Sequence, residues 1–244
     1  MIQKNLTIIE KENFQINIEY LLYFEKLLNP YPEILKELPE PFFKHQKRYR
    51  QIFGFDLKGI RFYLKIYSDR LFEAKSEWKN LCFLYEKGFN PPKPLFFFHN
   101  SSYALIATEE VPGKPLSELL KEKPSLLKVL AQFLASFHKE KLFHQDCYLN
   151  HFYWDGEKIY ILDVSRVKVG PLFTLKYHIK DLAQLGYSFE NYLHEKSSEF
   201  LETFLNFYEN YFHSLSPIFK FLLSLKIKRI RQRTERVRKK GKPL

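Results

Sequence analysis

Two carboxylates set the chemistry that this chain could perform. Asp146 sits in Phe143-His144-Gln145-Asp146-Cys147-Tyr148-Leu149-Asn150-His151-Phe152, and Asp163 closes Ile159-Tyr160-Ile161-Leu162-Asp163 seventeen positions later. Moving a phosphoryl group from a nucleotide to a hydroxyl needs one carboxylate that orients the hydroxyl and takes its proton. It needs a second that holds a divalent cation on the phosphates. Asp146 suits the first task and Asp163 the second, which makes ATP and Mg²⁺ the expected cofactors. The residues between them predict a rigid support: Phe152-Tyr153-Trp154 and Lys158-Ile159-Tyr160-Ile161-Leu162 are aromatic and β-branched runs joined at Asp155-Gly156, a dipeptide suited to a tight hairpin.

The loop resembles that of the lipopolysaccharide core heptose kinases of the WaaP type, within the protein-kinase-like superfamily, which reads His-Arg-Asp-Cys-Tyr-x-Cys-His-Phe. Asp146-Cys147-Tyr148 and His151-Phe152 match it, whereas Gln145 stands for the family's Arg and Asn150 for its second Cys. In protein kinases an Arg at this place reads activation-loop phosphates, so Gln145 fits an enzyme that is not switched that way. By the same register His151 takes the place of the Asn that binds a second Mg²⁺. Asn150 beside it is the alternative, because nitrogen is a poorer ligand than oxygen for a hard cation. The resemblance runs from about residue 60 to about residue 190. It implies an α+β, two-lobed protein-kinase-like fold, with a small β-rich N-lobe over 1–111 and a larger helical C-lobe over 112–216.

Several elements must position these groups. Residues 17–29 carry Ile18, Leu21, Leu22, Phe24, Glu25 and Leu28 at helical spacing and stop at Asn29-Pro30, which predicts an N-terminal helix packed by its apolar face. Alternation over 47–67, with a turn at Lys58-Gly59, predicts two strands, the second carrying Lys65. A helix over 71–87 follows, ended by Gly88, and its Glu77 shares a face with Leu81 and Leu84. In kinases a strand lysine reaches the nucleotide phosphates and is held by a helix glutamate. Lys65 and Glu77 take those roles here, with Glu73 one turn earlier as the competitor. No glycine-rich loop precedes Lys65; Phe42 to Arg50 offers instead a basic turn with Lys44, His45, Lys47 and Arg48.

A buried strand over 103–108 leads to Glu109-Glu110-Val111-Pro112-Gly113 and a short helix from Leu116. In the kinase frame the Glu109 carbonyl and the Val111 amide would meet the adenine edge. The amphipathic stretch 125–141 predicts the helix that delivers the chain into the loop, where His138 and His144 read as structural. After Asp163 the chain keeps Arg166, as the resembling family does, and lacks the Ala-Pro-Glu that closes a protein-kinase activation segment. Within a helix over 177–193, Lys180-Asp181-Leu182-Ala183 matches a family segment whose Asp braces the loop by accepting backbone hydrogen bonds.

Composition bounds the alternatives. At 244 residues, 45% hydrophobic and 18% aromatic, the chain has ample core, which excludes global disorder. Cys82 and Cys147 are too few for a disulfide framework or a zinc site and fit a reducing cytosol. Neither a signal peptide nor a membrane span is expected. Residues 217–244 form a basic tail, with eleven Lys or Arg against Glu235, so ten of the formal +11 lie there, behind an apolar start. Such a tail suits an anionic membrane surface, a phosphorylated glycolipid or nucleic acid.

The expectation is therefore an ATP-dependent, Mg²⁺-dependent kinase acting on a heptose of lipopolysaccharide inner core, cytoplasmic and peripheral at the inner membrane. A small atypical Ser/Thr or Tyr protein kinase is the second class. The third is an inactive kinase-fold protein that binds membrane or nucleic acid.

Overall fold

The computed structural model describes residues 5–11, 13–24, 33–47 and 49–239. The chain divides into two compact units, Met1–Val111 and Pro112–Leu244.

The first unit is built on a seven-stranded antiparallel sheet in the order β1-β2-β6-β7-β5-β4-β3. Its strands are β1 (Ile8–Lys11), β2 (Phe14–Asn17), β3 (Phe43–Lys47), β4 (Arg50–Leu57), β5 (Ile60–Tyr67), β6 (Pro94–His99) and β7 (Ala104–Glu109). Alternation along β5 sends Phe62, Leu64 and Ile66 into a core shared with Phe53, Phe55, Phe96 and Phe24, and leaves Lys65 and Tyr67 on the opposite pleat. In that core Phe24 meets Phe62 edge-on at 5.3 Å between ring centroids.

The N-terminal helix differs from expectation. A 3₁₀ turn (Ile18–Tyr20) runs into α1 (Leu21–Phe24), and α2 spans Glu33–Glu37. Tyr20 and Phe24, four apart, carry the burial, whereas Ile18 and Leu22 are exposed. Of the residues expected on the apolar face Phe24 is buried and Leu21 packs against the core, while Tyr20, which the apolar pattern does not include, joins them. Glu25 and Leu28 lie outside the described residues, as does Arg48. Helix α3 (Leu71–Glu86) buries Ala74, Glu77, Trp78, Leu81 and Leu84.

The second unit is mainly helical. It comprises β8 (Lys114–Pro115), α4 (Leu116–Leu119), α5 (Leu126–Lys139), β9 (Leu142–Phe143), β10 (Phe152–Trp154), β11 (Ile159–Ile161), β12 (Lys168–Val169), α6 (Leu175–Leu193), α7 (Ser197–Tyr211) and α8 (Pro217–Lys239). Strands β10 and β11 pair antiparallel, Phe152 opposite Ile161, and β8 adds to the other edge of β10. Gly113, at φ 88°, permits that edge contact, since a Cβ there would lie 2.1 Å from the Trp154 carbonyl oxygen. β12 pairs with β9, pinning the segment after Asp163 to the strand before the loop.

Residues 217–239 form a helix that packs on this unit. Phe219, Leu223 and Ile227 are buried, and Gly186 of α6 makes room for Ile227, whose Cδ1 would lie 2.7 Å from an added Cβ. Arg231 pairs with Glu190, and Arg238 donates to Asn191 at 3.0 Å. Among the described residues no helix is long and apolar enough to cross a membrane.

Candidate active site

In the first unit, the β5 pleat that leaves the core carries Lys65 to Glu77 of α3, and the two form an ion pair. Glu77 is 1% exposed and also accepts from the Tyr67 hydroxyl, while Arg50 donates to the Tyr67 oxygen at 3.2 Å. Burial, reinforced by the Glu77 charge, pushes the Tyr67 hydroxyl well above its ordinary value, so it stays a proton donor to the carboxylate. A buried carboxylate requires such partners, because an uncompensated charge in an apolar interior is costly. Glu73, the competing acid, pairs instead with Arg70 at 3.3 Å.

At the end of this unit the Glu109 amide donates to the Lys93 carbonyl at 2.9 Å, and its carboxylate accepts from the Tyr20 hydroxyl at 2.9 Å. Burial raises Tyr20 to about 12, which keeps that donor protonated. Among the described residues the Val111 amide has no backbone partner. Lys44, His45 and Lys47 stand exposed on β3.

In the second unit, ligand atoms of Asp146, His151 and Asp163 all lie within 4.8 Å of one another. Three local features produce this grouping. A 3₁₀ turn, Leu149–His151, brings His151 back so that its Nδ1 lies 2.7 Å from the Asp146 carbonyl oxygen. The carbonyl can only accept, so Nδ1 is the donor in this bond, which leaves Nε2 as the ring nitrogen available to a ligand. Asp163 sits in the left-handed region, φ 55° and ψ 53°, an uncommon conformation for Asp that turns the chain directly after β11.

The third feature is His144. Its Nε2 faces the Leu162 carbonyl at 2.8 Å, and its Nδ1 accepts the Asp146 amide at 3.2 Å. One neutral ring therefore clasps the backbone beside both aspartates. Burial, followed by the charge of His151, holds its pKa below the ordinary histidine value and keeps it neutral. Asn150 is exposed on the same 3₁₀ turn.

Helix α6 satisfies the amides of the loop from one face. Asp181 accepts from the His144 and Gln145 amides at 2.7 Å each, Gln184 from the Cys147 amide at 3.2 Å, and Ser188 from the Leu149 amide at 2.9 Å. These side chains sit at i, i+3 and i+7, one face of a helix. Asp181 is held in turn by His138, whose Nε2 lies 3.3 Å away. His138 Nδ1 takes the Tyr208 hydroxyl at 2.7 Å, and His178 Nε2 approaches the same hydroxyl at 2.6 Å. Because Asp181 only accepts, the protons order as His178 to Tyr208, Tyr208 to His138, and His138 to Asp181.

Gln145, at φ 64°, turns inward and donates to the Tyr177 carbonyl at 3.0 Å and to Asp181 at 2.9 Å. Arg166 places Nη1 3.7 Å from Asp146, and the Lys180 ammonium donates to the Gln145 carbonyl at 2.7 Å.

The sequence singles out Asp146 as a base alone; the structure groups it with Asp163 and His151, the residues expected to hold the cation. Gln184, Ser188 and the Lys180 ammonium were not foreseen. Their signal was polar residues recurring at helical spacing on an otherwise apolar face of α6. In chemical terms, two carboxylates and one imidazole lone pair suit a divalent cation, the carboxylates being the better donors for a hard ion.

A family model described as the lipopolysaccharide kinase (Kdo/WaaP) family matches residues 66–208. No curated protein matches the chain by sequence. Among solved structures, WaaP in complex with acyl carrier protein is similar, with a TM-score of 0.64 and 19% identity, over 93% of this chain and 99% of that one. An aminoglycoside-3'-phosphotransferase of type VIII is similar with a TM-score of 0.57 and 17% identity, over 72% and 88% respectively. Both likenesses give the protein-kinase-like fold, with a sheet-rich N-terminal part and a helical C-terminal part. The family match spans more than half the chain, which belongs to the lipopolysaccharide kinase (Kdo/WaaP) family and is a kinase.

Proposed function

We propose that this member of the lipopolysaccharide kinase family transfers the γ-phosphoryl group of ATP to a hydroxyl of a heptose in lipopolysaccharide inner core. The observation that carries the reading is the convergence of Asp146, His151 and Asp163 in a chain of this family. The Asp146 carboxylate orients the acceptor hydroxyl and takes its proton as the new oxygen–phosphorus bond forms. The bond from the γ-phosphorus to the bridging oxygen breaks, and ADP leaves with that electron pair. Asp163 and His151 Nε2 would hold Mg²⁺, which neutralises phosphate charge when bound; Asn150 is the alternative third ligand.

Lys65, oriented by Glu77, neutralises the α and β phosphates, and the Glu109 carbonyl and Val111 amide receive the adenine edge. Asp181 keeps the loop in register through the His144 and Gln145 amides. The test is direct: purified protein, ATP and inner-core oligosaccharide, with the product located by mass spectrometry and phosphorus NMR. Phosphate on heptose is the expected result; phosphate only on added proteins, or none with a well-folded enzyme, would sink the reading.

The acceptor grows on a membrane, and α8 supports peripheral attachment to the cytoplasmic face of the inner membrane. Ile218 and Phe221 near its start are 73% and 62% exposed. Further along, Arg229, Arg233 and Arg236 line a pocket of about 270 Å³. Each such cation contributes about 1 kcal/mol near an anionic bilayer, within a Debye length of about 8 Å. Arg231 and Arg238 are engaged with α6, so the test reverses charge at Arg229, Arg233 and Arg236. Lost sedimentation with anionic vesicles supports the membrane role. Unchanged sedimentation, or salt-sensitive binding to nucleic acid instead, overturns it.

A further inference from the structure

The large apolar side chains that the second unit exposes are not scattered. Among the described residues all of them fall in two segments, 169–175 and 218–225. Leu172 and Phe173 are 90% and 72% exposed, and Ile218 and Phe221 stand out comparably at the start of α8. The fold brings the two segments to one end of the unit, because α6 and α8 run parallel. The His178 ring lies 4.9 Å from Phe219, Ile227 packs over Gly186, and Arg231 bonds Glu190 at 2.9 Å, with the same offset of 41 residues each time. On that register Leu225 stands level with Gln184, so the stretch from Leu175 to Leu225 covers about 14 Å along the helices.

This end is also cationic. Residues 164–180 and 213–234 hold ten Lys or Arg and no Asp or Glu, and Lys168 and Lys176, which flank Leu172 and Phe173, are exposed. The acids that other parts of the unit bring to these cations are engaged. Glu209 takes Lys220 at 2.8 Å and Glu190 takes Arg231, Asp146 and Asp163 belong to the carboxylate group of the loop, and Asp181 is buried beneath it. On the neighbouring turn, whose Lys141 carbonyl takes the Gly170 amide at 2.9 Å, Glu140 stands between Lys139 and Lys141.

An apolar tip ringed by lysines matches the boundary of an anionic bilayer, where apolar side chains enter the acyl region and cations meet phosphate. A side chain as exposed as Leu172 stands clear of its neighbours and can enter a lipid layer with no groove to receive it. A second copy is the poorer occupant, since a two-fold contact would set the same cations against each other. The surface also borders the site: Val169 pairs with Leu142 of β9, and the Tyr177 carbonyl takes Gln145, next to Asp146. We infer that residues 169–175 and the start of α8 form one surface that enters an anionic bilayer and presents the Asp146 loop to an acceptor anchored there. The inference rests on the proposed function for its membrane-borne acceptor, and adds to the attraction by arginines an apolar insertion beside the catalytic loop.

The test is sedimentation of the full chain with vesicles of phosphatidylethanolamine and phosphatidylglycerol, and with neutral vesicles of phosphatidylcholine, to which binding should be weaker. Leu172→Ser and Phe173→Ser are compared with Phe72→Ser, an exposed apolar control on α3. The expected result is about tenfold weaker partitioning onto anionic vesicles for each of the first two, the loss that partial burial of one such side chain in lipid implies, and less than about twofold for the control. Urea unfolding of these variants should match the parent, since the replaced side chains face solvent. In Phe173→Trp the added emission should shift to the blue with anionic vesicles and be quenched by lipids brominated near the headgroup.

No vesicle binding by the unaltered chain, equal binding to neutral and anionic vesicles, losses no larger than that of the control, or an added tryptophan that neither shifts nor is quenched would overturn the inference. So would a dimer in analytical ultracentrifugation that Phe173→Ser dissociates, which would assign the surface to a second copy. Phosphorylation of soluble inner-core oligosaccharide is measured without vesicles, where Leu172→Ser and Phe173→Ser should match the parent. Insertion without phosphorylation refutes the proposed function and keeps the surface; phosphorylation without insertion does the reverse.

Discussion

Acidification should loosen the second unit through His178, by an amount that follows from its burial. His178 lies among Phe143, Phe212 and Phe219, with ring centroids 6.3, 5.0 and 4.9 Å away, and its Nε2 faces the Tyr208 hydroxyl. Burial first, then the charges of His138 and His213, lower its pKa to about 2. In the unfolded chain the value returns to about 6.5. The folded value is the depressed one, so the unfolded state binds more protons below 6.5. Stability is therefore intact above about pH 6.5 and falls as the pH drops from there towards 2. At pH 5 the loss is about 2 kcal/mol, from about 1.36 kcal/mol for each unit between 6.5 and 5.

The perturbation is His178→Gln, whose amide can still donate to Tyr208 but does not titrate. In a Trp78→Phe background Trp154 reports the second unit alone, since these are the two tryptophans. Urea unfolding at pH 7.5 and pH 5 should show the wild type losing about 2 kcal/mol more than His178→Gln. That is about 1 M in midpoint at an m-value near 2 kcal/mol/M. His144, also held neutral by burial, is present in both proteins and cancels. Equal pH dependence in the two would refute the reasoning. Because the chain of bonds runs through Tyr208 and His138 to Asp181, the same protonation should also reduce turnover before the unit unfolds.

Three further outcomes follow from the site. Asp146→Asn keeps the size of the side chain and removes the proton acceptor, so turnover should fall about 10²- to 10⁴-fold with ATP affinity retained; turnover within a few-fold of wild type would remove Asp146 from the role. Asp163→Ala should weaken Mg²⁺·ATP binding at least about tenfold by calorimetry while leaving binding of ATP without metal little changed, and an unchanged Mg²⁺·ATP affinity contradicts the assignment. Lys65→Met leaves Glu77 buried and short of its cation, so the first unit should lose about 3 kcal/mol in chemical unfolding, and Lys65→Met/Glu77→Gln should recover part of that stability without activity. No recovery in the double variant would show that the pair does not act as a unit.

What the sequence made legible is what is written locally. The Asp155-Gly156 hairpin, the alternation that puts Lys65 across the sheet from Phe62, Leu64 and Ile66, and the helical spacing of Glu77, Leu81 and Leu84 all operate over a few residues. Each survives in the fold with its ends moved by a residue or two. What was not legible lacks a local apolar signal or depends on distant contacts. Every residue of β3 is exposed, so no alternation marks it, and it exists by pairing with β4. The β1–β2 hairpin has four-residue strands, and β2 is secured by pairing with β6, some eighty positions away. In the N-terminal segment Phe24 was legible and Tyr20 was not, because an apolar count passes over a ring that carries a hydroxyl, whereas packing uses that ring.

The same contrast explains Gln145, one of the two positions at which this loop departs from the family pattern. From the sequence, replacement of Arg by Gln looks like a lost outward contact. In the fold, the left-handed backbone at Gln145 points the side chain inward, where its amide donates to Tyr177 and Asp181 while its own N–H also goes to Asp181. Lys180 then bonds the Gln145 carbonyl, so the backbone N–H, the backbone carbonyl and the side-chain NH₂ of this residue are all engaged within the unit. An arginine could not sit in that pocket without burying a charge beside Lys180, whose ammonium is already opposed by Arg166 and Lys226. The order of the loop therefore comes from α6 itself, through Asp181, Gln184 and Ser188. A loop held in this way needs no phosphorylated segment to assemble it, which agrees with the short connection from Asp163 through β12 to α6.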